Sequence, residues 1–390
     1  METDTKPNDL QDVRRRVLDA QAQLTETFIQ REDCFRAMIL AAISQTPCIL
    51  VGDPGTAKTA AMKSWFSHIA DARKFVTLCG SFATEDKIFG PIDLAAFQRS
   101  EWGRATKGRL AAVELAGLDE LMKSNDGCLN GQLTVLNERE YEGQKVPLRQ
   151  FFAASNWPEI KARTENVAAL WDRLVLRVEV KEVEGEDAEI QLLEAGERVG
   201  AYKPRETLTI AELDAAKRAL EGIEIKTAMR RNLVRLRHRL VKENVVNTGR
   251  RMVTLQMVLR ASAWLAGRAE VTLEDFDALR FGLWHDKEQI DVVAAVLDTI
   301  DHETVTKAMK LIDEASQQHR QNQGLPAQRA LQEAPHVCRK IREMMKQVQT
   351  LITETGLTKK GRDRVRAATT ELRARYDALN AKVEAAVGQQ

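Results

Sequence analysis

The stretch Gly52-Asp53-Pro54-Gly55-Thr56-Ala57-Lys58-Thr59 sets small residues ahead of a lysine and a threonine. Small residues let successive backbone N–H groups curl around a phosphate, and a helix starting there adds its positive dipole end. Lys58 would bring a point charge to the β- and γ-phosphates, and the Thr59 hydroxyl can ligate Mg²⁺. The flanks suit this chemistry: the apolar run Pro47 to Val51 precedes the loop, and the helical sequence Ala60 to Trp65 follows it. Position 57 is Ala where the strict pattern has Gly, which calls for ordinary right-handed backbone angles there. A chance glycine-rich turn is the bland alternative. A dinucleotide site is disfavoured, because the spacing is not GxGxxG.

A phosphate loop needs carboxylates at the end of another strand. Leu115-Ala116-Gly117-Leu118-Asp119-Glu120 supplies them. Asp119 would hold the Mg²⁺ shell and Glu120 would polarise an attacking water. Ala116 and Gly117 make this a poor strand by propensity, but Asp119 lies sixty residues after Thr59, where a second acidic strand belongs. Phe151 to Ser155 is an apolar strand ending in Asn156, whose neutral amide can orient the water or touch the γ-phosphate. The competing reading makes Asn156 a helix cap before Trp157-Pro158. In Leu170-Trp171-Asp172-Arg173-Leu174, Arg173 could be an arginine finger for a neighbouring subunit, against a surface ion pair with Asp172.

The elements that must position these groups follow from periodicity. Apolar runs at Pro47–Val51, Phe75–Cys79, Leu115–Leu118, Phe151–Ala154 and Leu174–Val178 alternate with helical sequence, which implies βαβ units and a parallel sheet. The acidic stretch Glu179 to Glu189 reads as a hinge, and the rest is helical. Thr209 to Glu212 is a capping box and Thr272 to Asp275 resembles one. Val337, Ile341, Met344, Val348 and Leu351 form one heptad stripe, and Val365, Ala368, Leu372, Leu379 and Val383 another. With Gly356 to Gly361 between them, an antiparallel helical hairpin is expected. The division is 1–184 for the α/β nucleotide-binding domain, 185–290 for a helical lid and 291–390 for a C-terminal helical extension.

Composition narrows the function class. Of 390 residues, 58 are Lys or Arg and 57 Asp or Glu, a formal charge of +1 that does not ask for nucleic acid or an anionic bilayer. The basic segment Lys226 to Lys242 has a leucine-rich stripe and reads first as a solvated face. The five scattered cysteines have no CxxC and read as reduced thiols, and the six histidines lack HExxH. No apolar run approaches the roughly 20 residues of a spanning helix, and the polar start Met1 to Leu10 is no signal peptide. The expectation is a cytoplasmic protein without membrane insertion.

Taken together, these motifs resemble an AAA+ ATPase, and in detail the MoxR family and its RavA branch. Phe82 to Pro91 is similar to the family's segment after the second strand. Trp102 to Gly108 is similar to the hairpin inserted there, which points into the pore of the ring. Leu133 to Arg139 resembles the signature after the acidic strand, and Glu140 to Arg149 the second insert. Thr248-Gly249-Arg250-Arg251 with Ala261 to Arg268 resembles the lid helix carrying sensor 2, with Arg250 at the sensor position and Arg251 a close second. Leu283-Trp284-His285-Asp286 is similar to the RavA lid ending.

The resemblance implies an AAA+ core with a five-stranded parallel sheet, an all-α lid and a C-terminal helical hairpin. It implies a homo-hexamer using ATP and Mg²⁺, with Thr59 and Asp119 at the metal. Glu120, Asn156, Arg173 and Arg250 would act in hydrolysis. It further implies a protein client, whose identity it leaves open, and a partner with a von Willebrand factor type A domain. The β-rich insert of the RavA branch has no counterpart here. A nucleotide-switched scaffold with little turnover and a nucleic-acid translocase are the competing functions.

Overall fold

The computed structural model describes residues 7–81, 83–157, 165–200 and 202–387; Met1 to Lys6, Phe82 and Pro158 lie outside them. The five apolar runs become strands β1 (Cys48–Val51), β2 (Lys74–Leu78), β3 (Leu115–Asp119), β6 (Gln150–Ser155) and β7 (Leu176–Glu179), with a small hairpin of β4 (Glu140–Tyr141) and β5 (Gln144–Lys145) between them. The main sheet runs β2-β3-β6-β1-β7, and every neighbouring pair is parallel. β1 and β6 are buried along their whole length, as strands covered by helices on both faces must be. This is an α/β AAA+-type core, and a helical lid follows it in the chain.

Low propensity does not prevent β3 from forming. It is laddered on both sides, Val76 opposite Gly117 and Gly117 opposite Phe152, so hydrogen bonding and burial override local preference. Helix α3 (Lys58–Ser67) lies directly above it. A Cβ at Gly117 would sit 3.2 Å from the Phe66 ring, and Phe66 stacks on Phe152 with centroids 5.3 Å apart. The burial of Phe66 and Phe152 contributes about 1.5–3 kcal/mol each.

Two chain excursions leave the end of this sheet. Helix α4 (Glu85–Phe89) leads into a loop closed by one antiparallel bridge, Ile92 to Arg104, and carrying a short helix α5 (Leu94–Gln98). The sequence suggested a hairpin near Trp102. Asp93, accepting from the N–H groups of Ala95 and Ala96, caps the short helix α5 between the two bridged positions. Trp102 is 63 % exposed at the far side of that helix. Arg104 ties the loop down, pairing with Glu85 at 3.0 Å, Asp86 at 2.7 Å and Glu142 of the β4–β5 turn at 3.2 Å.

The chain forms two compact units. The first holds residues 1–224 and 248–269 and the second 225–247 and 270–390, so the stretch read as one lid supplies helices to both. In the first, helices α1 (Pro7–Thr27), α2 (Glu32–Ser44), α6 (Asp126–Glu138), α7 (Glu165–Arg173), α8 (Glu186–Gly200), α9 (Ile210–Ala219) and α11 (Gly249–Leu265) surround the sheet. The second is helical: α10 (Thr227–Lys242), α12 (Gln289–Asp298), then three long helices, α13 (His302–Gln323), α14 (Ala327–Thr355) and α15 (Lys359–Val387). The expected hairpin is α14–α15, and α13 completes it: Val305, Ala308, Ile312 and Ala315 share one core with Val337, Ile341, Val348, Val365 and Leu372. Two stripes alone leave the third side of each helix wet, and α13 covers it.

In the first unit His68 is 1 % exposed. Its Nδ1 lies 3.0 Å from the Glu206 carbonyl, which only an N–H can satisfy, so Nε2 accepts from the Tyr202 hydroxyl at 2.5 Å. Burial lowers the imidazole pKa. The folded state therefore binds its proton less readily than the unfolded chain, whose value is about 6.5. The stability this neutral histidine gives is complete above that pH and is lost as pH falls below it. The melting temperature is expected to drop from pH 7.5 to 5.5, and His68→Gln to flatten that part of the profile. An identical slope in the variant would rule out His68 as the source.

Candidate active site

The loop begins where β1 ends. Val180, just beyond β7, donates its N–H to the Val51 carbonyl at 2.7 Å, and its own carbonyl would lie 2.1 Å from a Cβ at residue 52, so only glycine fits at Gly52. Gly55 has φ +87°. Ala57 has φ 63° and ψ 22°, the left-handed region, contrary to the right-handed angles expected from its side chain. α3 starts directly after it with no side-chain cap, so its first-turn N–H groups take no capping side chain and remain available to an anion. For an L-residue that conformation costs about 1–2 kcal/mol.

Four of the expected residues converge on this loop. The Lys58 ammonium, on a residue 7 % exposed, donates to the carbonyls of Gly52 at 2.8 Å and Asp53 at 2.7 Å, and reaches the Asn156 amide oxygen at 3.4 Å. Asn156 therefore faces the loop's lysine, whatever else it caps. It gets there because β6 pairs with β1 and ends at the Val51–Ser155 register pair, one residue before Asn156. The Thr59 hydroxyl donates to Asp119 Oδ2, while Asp119 Oδ1 accepts the Glu120 N–H at 2.9 Å. A hydroxyl and a carboxylate in contact at the foot of a phosphate loop are hard oxygen donors, the set a Mg²⁺ ion takes alongside substrate phosphates. Glu120, with φ 52°, opens the turn after β3, and its side chain pairs with Lys123 at 3.1 Å, both about one-third exposed.

The arginines separate into distinct roles. Arg173 is the last residue of α7; it donates to Asn137 Oδ1 at 3.1 Å and the Ala169 carbonyl at 3.1 Å. Its supposed partner Asp172 lies 3.6 Å from Arg251 instead. Arg251 is 2 % exposed, and burial lowers its pKa to about 10, so it stays charged at neutral pH. Arg250, the preceding residue, is exposed, and its side chain has no hydrogen-bond or ion-pair partner among the described residues. No hydrogen bond or ion pair joins Arg173 or Arg250 to Lys58, Thr59, Asp119, Glu120 or Asn156 among the described residues.

Sequence reasoning passed over Arg31. It is 7 % exposed, lies 3.4 Å from the Thr56 carbonyl through Nε, and donates to the Gln30 carbonyl at 2.8 Å. With Gln30, Cys34, Val180 and Glu182 it lines a cavity of 490 Å³ beside Gly52, within the size range of small-ligand sites. A lone arginine between two helices carries no motif, so only the fold reveals it.

Comparison with known proteins bears on the same residues. Residues 15–218 match the family model described as the MoxR domain in MoxR-vWA-beta-propeller ternary systems, and residues 228–297 match an AAA lid domain. An uncharacterised protein of Methanocaldococcus jannaschii is 30 % identical over 298 residues, 75 % of this chain and 76 % of its own. A second uncharacterised protein of that organism is 26 % identical over 285 residues, 72 % of this chain and 74 % of its own. In fold, the chain resembles a crystal structure of a candidate ATPase from Cytophaga hutchinsonii, with TM-score 0.58 and 14 % identity over 75 % of this chain and 94 % of that one.

The strained Ala57 gives a direct test of the loop. Ala57→Gly relieves the left-handed cost but adds unfolded-state entropy, so stability should stay level or rise by up to about 1 kcal/mol. Ala57→Val, branched at Cβ in the same conformation, should lose more than about 1 kcal/mol. Chemical denaturation of the three proteins reads this; a destabilised glycine variant would refute the strain.

Proposed function

The chain belongs to the MoxR family of AAA+ ATPases, and from that premise we propose that it hydrolyses ATP in a hexameric ring to remodel or activate a protein client. The observation that carries this is the direct contact of Thr59 with Asp119, which unites phosphate loop and acidic strand, with Lys58 and Asn156 beside it. Mg²⁺ held by Thr59 and Asp119 would neutralise charge on the β- and γ-phosphate oxygens. Lys58 would leave the loop carbonyls for the phosphates, exchanging neutral acceptors for charged ones. Glu120 would take the proton of the attacking water, which requires its carboxylate to come free of Lys123. Asn156 would orient that water.

Arg250 is the better placed of the two sensor candidates, because Arg251 is committed to backbone carbonyls. Arg173 would serve the neighbouring protomer's γ-phosphate. A finger in trans makes turnover depend on assembly and can contribute about 10³–10⁵ in rate. The family model's own description, naming vWA and β-propeller components, supports a von Willebrand factor type A partner. Kinship with the RavA branch rests on Leu283 to Asp286, of which Leu283 and Trp284 are buried. A cytoplasmic location is part of the proposal; among the described residues no helix is long and apolar enough to cross a membrane.

The Glu120–Lys123 pair favours one alternative, a nucleotide-switched scaffold with little turnover. Phosphate release with Mg·ATP separates the two. Wild type should turn over, and Glu120→Gln should be slower by about 10²–10⁴ while still binding ATP. Lys58→Ala should lose nucleotide affinity in calorimetry. Equal near-zero release by wild type and Glu120→Gln would leave the scaffold standing. Mixing Glu120→Gln with Arg173→Ala subunits in equal amounts should restore activity at about a quarter of the interfaces, where each supplies what the other lacks.

A further inference from the structure

The corner that carries Arg173 is held by two buried guanidinium groups. A helix leaves its last carbonyls without intrahelical partners, and α7 ends at Arg173. Arg177, 0 % exposed and 4.4 Å above the Trp171 ring, donates to the carbonyls of Trp171 at 2.6 Å and Leu174 at 3.0 Å. Arg251 donates to the two between and beyond them, Asp172 at 2.9 Å and Val175 at 3.0 Å. Arg177 belongs to β7, next to this corner in the chain, and is part of its frame. Arg251 comes from the first turn of α11, where the Thr248 hydroxyl accepts its N–H at 3.2 Å.

The residue before Arg251 on that same turn is Arg250, exposed and pointing away from the buried side that its neighbour occupies. Successive helical residues are about 100° apart, so the turn offers one arginine to the α7 corner and the other to solvent. Asp172, whose carbonyl receives Arg251, is the residue before Arg173.

We propose that Arg251 is a positioning residue that couples Arg250 to Arg173, so that a protomer presents its finger to the next active site only when its own Arg250 has engaged nucleotide. This rests on the trans-finger reading proposed above. A single buried guanidinium spans the two segments, and its planar fork reaches two carbonyls at once. A lysine, with a point charge, cannot hold both in one geometry. A displacement of the first turn of α11 toward a bound phosphate is therefore passed to the backbone on both sides of Arg173.

Heteromeric rings test it without disturbing the buried group. In a mixture of Arg173→Ala with Glu120→Gln subunits, the finger donor keeps its Arg250, and turnover is restored. In a mixture of Arg173→Ala with Arg250→Ala subunits, the donor has an intact finger but no sensor, and turnover is expected to stay at the level of Arg173→Ala alone. Equal rescue in both mixtures overturns the coupling and leaves the proposed function standing. Rescue in neither removes the trans finger, and this inference with it.

Arg251→Lys supplies a second readout. Its ATP affinity in calorimetry should match wild type within about twofold. Its turnover should fall about tenfold or more, with the Hill coefficient for ATP dropping from above 1 to 1. A folded Arg251→Lys ring with wild-type rate and cooperativity would also overturn the proposal. Should that variant fail to fold, the mixtures decide alone, since Arg250 is on the surface.

Discussion

The site depends on how closely α3 can lie over β3. Thr59 lies in the first turn of that helix, just after β1, Asp119 ends a strand two positions away, and β6 runs between β1 and β3. For the hydroxyl to reach the carboxylate, the helix must settle on the middle strands with little side-chain volume beneath it. Gly117 provides the room: even a methyl group there would press on Phe66 at 3.2 Å. Larger residues would build a better isolated strand and lift the helix away. The composition that weakens β3 locally is thus what brings loop and acidic strand into contact, and β2 and β6 supply by pairing what propensity withholds.

Much of this was legible in the sequence, and the exceptions have physical reasons. The five strands were marked by apolar runs alternating with helical sequence, and each formed within one or two residues of its expected span. Lys58, Thr59, Asp119, Glu120 and Asn156 could be chosen because phosphate and metal chemistry restricts residue type at those places. The left-handed angles of Ala57 could not be read, since alanine alone argues for the opposite; they follow from the direction in which α3 must leave the loop. Asp172 looked like the natural partner of Arg173 because the two are adjacent in sequence. The buried Arg251, dozens of residues away, takes Asp172, and such contacts have no local signature.

The second unit shows the same limit. Heptad stripes on α14 and α15 announced a pair of helices, but periodicity reports that a face is apolar, not how many neighbours will cover it. Val305, Ala308, Ile312 and Ala315 on α13 form a third stripe that joins the common core. Asp301, just before α13, accepts from the N–H and hydroxyl of Thr358 in the α14–α15 turn, so the third helix is fixed to the hairpin by its end as well as its face.

Contacts of the acidic strand also bear on what lies beyond the site. The Cys79 N–H donates to the Asp119 carbonyl at 2.7 Å, and Lys87 on α4 donates to the Leu78 carbonyl at 2.7 Å, so α4 is tied to the end of β2, which pairs with the Asp119 end of β3. Asn125, which caps α6 after Glu120, donates to the Ala83 carbonyl at 2.7 Å from the other side. Phe89 at the end of α4 stacks on Tyr141 of β4 with ring centroids 4.1 Å apart, and its ring would clash with any side chain at Gly131 of α6. Arg104 adds three carboxylates to this assembly, and the loop bearing Trp102 hangs from Arg104. Each joint is short, and those of Arg104 with Glu85 and of Asn125 with Ala83 are partly buried. α4, α6 and the β4–β5 hairpin are thus linked to the Asp119 end of β3 by consecutive short contacts, so a change in the turn at Glu120 meets packed neighbours.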